Sequence, residues 1–305
     1  GIPIRVNISL LVFLPVLAWL IGSGAQIAAY AGIVGVLAGT ELDVSVLLAG
    51  PTPWVVGTLA AVGLFVSVTL HELGHAWVGM RYDLEVESIT LWILGGLASF
   101  TSFPREWQKE FWIAVAGPIT SVLTGVACYA ALLALPASAT VPLFVVGWLA
   151  VTNLVLAGFN MLPAFPMDGG RVLRSLLARK RSYASATRTA SRIGTAFAIL
   201  FAVVGVLNFA PMLLLLALFI YAAASGESRT VALADLLEGL TVGDIARPTR
   251  LTIDADDSVE ELVDRMFAER ATEFTVTRDG AVVGVVTVAD FTALSKAQRE
   301  ADVVA

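Results

Sequence analysis

The stretch Thr69-Leu70-His71-Glu72-Leu73-Gly74-His75 closes an apolar run that begins at Trp54. A backbone in hydrocarbon satisfies its hydrogen bonds internally, so the run is predicted to be a helix. Residues four apart on a helix share a face and lie about 6 Å apart along the axis. His71 and His75 are thereby placed to grip one metal ion from adjacent turns, and Glu72 reaches a water on that ion without being a ligand. These are the only two histidines of the chain. Random placement would set them four apart, with Glu after the first, on the order of once in a few thousand sequences, which lifts the match above the usual false positives of this motif. A charge at the centre of a membrane helix costs roughly 2.5–3.5 kcal/mol and normally marks function.

Outward from this run, the composition fits a bilayer as solvent. Of 305 residues, 57% are hydrophobic and 14% charged, and the mean hydropathy is +0.83, against roughly 45–50% apolar and about 25% charged in soluble domains. From Ile8 to Met80 the acids, bases and histidines are Glu41, Asp43, His71, Glu72 and His75, whereas the chain after Gly226 reads as an acidic soluble domain. Two solvents predict two domains: a membrane domain over 1–226 and a soluble domain over 241–305, joined by a linker over 227–240. The net charge of −6 offers no basic patch, so nucleic acid is not an expected partner. Cys128, the lone cysteine, lies in an apolar run and reads as a structural thiol. No cleavable signal peptide is evident.

A helical span needs about 20 apolar residues, and six segments qualify: Ile8–Leu37, Trp54–Met80, Phe111–Leu135, Val141–Leu162, Ile193–Phe209 and Met212–Ala224. The first is long for one span, and Gly22-Ser23-Gly24 is the place for a break. Lys and Arg favour short cytoplasmic loops. Seven of them, Arg171, Arg174, Arg179, Lys180, Arg181, Arg188 and Arg192, fill the connection between the fourth and fifth segments, while the loops around 41–53, 136–140 and 208–211 carry none. Six spans then put every basic loop, both termini and the soluble domain on the cytoplasmic side of a cell membrane. Between Arg81 and Glu110, the alternation from Glu85 to Ile93 and the break at Gly95-Gly96 predict a short hairpin at the membrane edge. Its strand edge must be buried in protein or face a wet cavity, where it could bind an unwound peptide.

Catalytic zinc takes three protein ligands and leaves one position open. With no further histidine, the third ligand must be a carboxylate, and the candidate is Asp168 in Asn160-Met-Leu-Pro-Ala-Phe-Pro-Met-Asp-Gly-Gly170-Arg171. Pro163, Pro166 and the paired glycines break the helix and free the aspartate to turn toward a partner helix. The alternative roles for Asp168 are capping the next helix or pairing with Arg171.

These motifs resemble the site-2 protease family of intramembrane metalloproteases over roughly 1–226. The resemblance rests on the opening Gly1-Ile-Pro-Ile-Arg5, on His71 to His75, on Ala116-Gly117-Pro118 and on the Asn160 to Gly170 block. It implies a three-helix catalytic core with one zinc ion per chain on His71, His75 and Asp168. Glu72 is then the base, and Asn160 helps to hold substrate or oxyanion. It also implies a transmembrane protein substrate that meets the membrane-edge hairpin by strand addition. Asn7 departs from the histidine common in relatives, at a position that a three-ligand site does not need.

In the soluble tail, Ser258 and Glu261 form a capping box for a helix to about Glu269. Phe274–Thr277 and Val282–Thr287 are predicted strands around Asp279-Gly280, and Val288–Ala297 is a predicted helix. The tail resembles one CBS module, a small α+β domain, through its 254–259 entry and Gly284 to Asp290. That resemblance implies an adenine nucleotide touching Thr287 and Asp290, or a plain dimerisation unit. Such modules work in pairs, so a homodimer through them is one expectation and a second copy outside this sequence the other. Two rival classes remain for the whole chain: a membrane metal transporter or sensor, which predicts ligands strung along a path, and an inactive scaffold, which predicts no tightly held zinc.

Overall fold

The computed structural model describes residues 2–93, 95–101, 104–245 and 251–293. It divides into two compact units, Gly1–Leu236 and Leu237–Ala305. In the first, strand β1 (Ile4–Val6) leads into helix α1 (Ile8–Ile21), whose first turn is capped by Asn7, its Oδ1 accepting the Ser9 amide at 2.9 Å. Helix α2 (Gly24–Ala38) leaves α1 at an angle of 67°. The long N-terminal apolar stretch therefore breaks at Gly22-Ser23, as a bent span or a re-entrant loop.

The short α3 (Val44–Leu47) and the 30-residue α4 (Thr52–Arg81) come next, then β2 (Val86–Trp92) and β3 (Gly95–Phe100). Helices α5 (Trp107–Ala134), α6 (Thr140–Asn160), α7 (Asp168–Ala178), α8 (Tyr183–Leu207) and α9 (Pro211–Leu237) complete the unit. Among the described residues, α4, α5, α6, α8 and α9 are long and apolar enough to cross a membrane, making six spans if the bent α1–α2 pair counts as one. A multi-pass membrane protein follows.

Two stretches carry more helix than their composition predicts. The basic connection after Asn160 holds α7 and the first turns of α8, and α9 runs on past Ala224 to Leu237. Neither stretch has a long apolar run. Helix α8 starts from the Ser182 cap and buries small residues on one face, Ala186, Ala190 and Gly194 among them. Tertiary packing of such a face makes a helix where local hydrophobicity does not.

The predicted hairpin is present, and it belongs to a three-stranded sheet. Strand β1 pairs in parallel with β2, and β2 pairs antiparallel with β3, so that Ile4, Ile89 and Ala98 lie in one row. Ile89 and Leu91 pack with Leu10, Val68 and Ala76, seating the sheet on α1 and α4. Strand β3 is left at the sheet's edge, beside the C-terminal half of α4.

The second unit contains α10 (Val242–Ile245), β4 (Thr252–Asp254), α11 (Val259–Glu269), β5 (Glu273–Arg278), β6 (Ala281–Thr287) and α12 (Val288–Ala293). Its sheet runs β4-β5-β6, with β4 parallel and β6 antiparallel to β5. One face closes on α11 through Ile253, Leu262, Met266 and Phe274. Ser258 Oγ accepts the Glu261 amide at 3.2 Å, the expected cap. Asp279 and Gly280 both have positive φ, which is what the tight turn between β5 and β6 requires. The predicted helix from Val288 is observed to Ala293, and its remainder lies outside the described residues.

Candidate metal centre

The predicted pair stands on α4, one turn apart, with His71 at 4% and His75 at 6% exposure. Asp168, the first residue of α7, meets them from the other half of the fold. Its Oδ2 lies 3.2 Å from each histidine Nε2, and the two Nε2 atoms are 3.1 Å apart. The Asp168 carboxylate thus faces both imidazoles.

Both rings are fixed from behind. His75 Nδ1 lies 2.7 Å from the Ile113 carbonyl oxygen. A carbonyl only accepts, so Nδ1 carries a proton and Nε2 is the nitrogen left to offer a lone pair to a metal at the shared point. His71 Nδ1 contacts the buried Ser121 hydroxyl at 2.8 Å, which permits the same tautomer. Both partners belong to α5. Such backing orients metal-ligating histidines and raises their basicity.

This donor set fits zinc. Ligand atoms about 2.0–2.1 Å from a tetrahedral ion are about 3.3–3.4 Å from one another, and the three observed separations come close to that edge. Gly117 leaves the room. A Cβ there would stand 2.6 Å from His71 Nε2 and closer still to His75 Nε2, so only glycine lets α5 pass so near the two nitrogens. Two imidazoles and one carboxylate leave a fourth position for water or substrate.

Glu72 Oε2 accepts the Ala98 amide of β3 at 3.1 Å. Glu72, Gly96, Ala98, Asn160 and Arg171 line one cavity of about 110 Å³ with the three metal-facing residues. Asn160 closes α6, its Nδ2 donating to the Leu156 carbonyl at 3.1 Å. The five membrane-domain residues read from the sequence therefore converge. Thr287 and Asp290 occupy the second unit, where Asp290 Oδ2 accepts the Thr287 hydroxyl at 2.6 Å and its amide at 2.9 Å. Those bonds to Thr287 hold the exposed Asp290 carboxyl below the usual carboxylate range.

The sequence did not single out Ser121, the Ile113 carbonyl or the Ala98 amide. Ser121 lies one turn beyond the Ala116-Gly117-Pro118 motif and carries no local signal. The motif itself was legible, but the steric reason for Gly117 needed the helix pair.

Fold and site define a class: multi-pass membrane proteins with a buried metal centre built from a His-Glu-x-x-His helix and a distant carboxylate. The model for Peptidase family M50 matches residues 59–201. A protein described as a zinc metalloprotease, from Methanocaldococcus jannaschii, is 36% identical over 228 residues, covering 73% of this chain and 65% of its own length. Rip3 of Mycobacterium tuberculosis is 34% identical over 246 residues, 76% of this chain and 62% of that protein. The chain thus spans a little under two thirds of the length of these relatives. A solved structure described as the site-2 protease from Methanocaldococcus jannaschii shares 31% identity, covers 75% of this chain and 91% of that one, and superposes with a TM-score of 0.49. The chain belongs to peptidase family M50, the site-2 protease group, and family and donor set together support zinc as the metal.

Proposed function

We propose that this chain is an intramembrane zinc endopeptidase that hydrolyses peptide bonds in or near the transmembrane segments of other membrane proteins. The observation that carries the reading is the convergence of His71, His75 and Asp168 within 3.2 Å of one another, with Glu72 on the same cavity. Zinc held by those three residues supplies Lewis acidity toward the scissile carbonyl and the attacking water. Glu72 accepts the proton of that water and delivers it to the leaving amine. The Asn160 amide, at the end of α6, donates to the carbonyl oxygen as it gains charge.

A substrate helix must unwind first, because its own hydrogen bonds shield its peptide groups. The edge of β3 compensates for those lost bonds by accepting the extended segment as a further strand. The Ala98 amide is directed away from β2 and meets Glu72 Oε2, so a strand added at this edge would take the amide over from Glu72. The concentration of Lys and Arg in the connecting loops supports a cytoplasmic side for α7, for the sheet and for the chain after Gly226. The soluble unit is a CBS-like module over 241–305, with Thr287 and Asp290 at an adenine nucleotide or the module serving as a homodimer contact.

Replacement of Glu72 by Gln keeps the metal-facing residues and removes the base. The purified variant in detergent is expected to retain zinc and to lose cleavage of a single-span substrate, and a chelator is expected to silence the wild-type protein. Undiminished turnover by Glu72→Gln would refute the assignment.

A further inference from the structure

Arg174 is among the largest fully buried side chains, 2% exposed, and it lies on α7 six residues beyond Asp168. Its Nε donates to Glu110 Oε1 at 2.7 Å, Nη2 donates to the same oxygen, and Nη1 donates to Glu227 Oε1. The guanidinium also stacks over Phe165, with its carbon 5.0 Å from the ring centroid, and over Tyr183 at 4.7 Å. One side chain of a two-to-three-turn helix thus joins the first turn of α5, the middle of α9, the start of α8 and the loop that precedes Asp168. The metal-centre chemistry uses none of these contacts.

A buried ion pair is a poor source of stability compared with apolar packing, and its best-attested use is to select one arrangement among several. Here the arrangement at stake is the seating of α7. At its N-terminal end, a Cβ on Gly169 would overlap the Met161 and Leu162 carbonyls, and one on Gly170 would stand 2.7 Å from Phe165 N. Backbone contact therefore fixes the first turn against the loop, and the rest of the helix is held by what it packs on, α5 and α8. Arg174, about 9 Å further along the axis, supplies the second fixed point. Two points define the axis, and with it the direction from which Asp168 meets His71 and His75.

We propose that Arg174 is a positioning residue for the metal centre, holding α7 through Glu110 and Glu227 so that Asp168 is presented to the two histidines. This rests on the zinc reading above. The two arms differ: Glu110 is wholly buried, whereas the Glu227 side chain is 38% exposed. Glu227 is therefore the adjustable arm, through which a shift of α9 reaches the metal.

The test compares zinc affinity, by chelator competition on the full chain in detergent, with thermal unfolding and with kcat and KM for a transmembrane substrate. Glu227→Gln is expected to stay folded, to lose about 2–30-fold in zinc affinity, the range for residues that act on a site without touching its ligand, and to lower kcat with KM unchanged. Arg174→Met alone leaves Glu110 buried and unpaired, which destabilises the fold, so the double variant Glu110→Leu/Arg174→Met keeps the test decisive. It is expected to recover the unfolding temperature without recovering zinc affinity. Affinity that returns with stability in the double variant, or wild-type affinity in Glu227→Gln, would overturn the proposal. A wild-type chain that binds no zinc would instead overturn the metalloprotease reading itself.

Discussion

At the scale of single residues, the metal centre depends as much on what α5 withholds as on what α4 and α7 supply. Gly117 withholds a side chain, and Gly117→Ala is expected to abolish tight zinc binding because its methyl group would occupy the space beside both Nε2 atoms. Helix α5 has little freedom to retreat, since Ala114 and Ser121, one turn before and after Gly117, are buried as well. Elemental analysis of the purified variant checks this, and one zinc per chain would contradict it. Ser121→Ala is milder. It removes the partner of His71 Nδ1 and is expected to cost about 10–100-fold in zinc affinity or turnover, read by competition with a chelator. The histidines, Glu72 and Asp168 were legible because each is an ionisable group beside an apolar stretch. Ser121 and Gly117 act through a helix some forty residues away in sequence, and no periodicity reports that.

At the scale of elements, the spans were legible wherever hydrophobicity is continuous, and illegible where packing alone makes the structure. Helix α7 has charged residues in the chain reading of a basic loop, yet Val172, Arg174 and Ser175 are buried. Strand β1 is three residues long and pairs in parallel with a strand more than eighty residues away, which no local pattern encodes. The hairpin was legible from its alternation and its Gly95-Gly96 break, but which strand forms the edge follows only from β1 taking the other side of β2. That edge carries a prediction of its own. Proline is tolerated on an edge strand where the lost N–H points outward, so Ala98→Pro is expected to leave the β2–β3 ladder intact. The N–H removed is the one that meets Glu72 Oε2, and losing one hydrogen bond of about 0.5–1.5 kcal/mol, whether to Glu72 or to a substrate strand that replaces it, lowers kcat/KM for a transmembrane substrate by about 2–10-fold. An unchanged kcat/KM with a normal unfolding temperature would exclude Ala98 from substrate pairing.

At the scale of the whole molecule, the charge pattern changes after Gly226 and the compact units divide at Leu236 and Leu237, because helix α9 runs on through the polar stretch between the two points. Large apolar residues such as Val12, Leu123, Val155, Leu207 and Met212 remain exposed on the helices of the first unit, a surface suited to acyl chains rather than water. Within that apolar body, the polar groups of the centre are drawn from two separate stretches of the sequence: α4 provides the histidines and the base, and α7, nearly a hundred residues later, provides the carboxylate. The spacing of motifs suggested that meeting, and only the packing of α5 between the two shows how it is enforced.

The central claim is therefore a coordination shell, and zinc K-edge X-ray absorption on the purified chain in detergent reads it directly. Two imidazole nitrogens and a carboxylate oxygen at about 2.0–2.2 Å are predicted for the wild-type protein, with the oxygen contribution reduced and zinc weakly held in Asp168→Ala. A sulfur shell from Cys128, or a spectrum and zinc content unchanged by Asp168→Ala, would contradict the account.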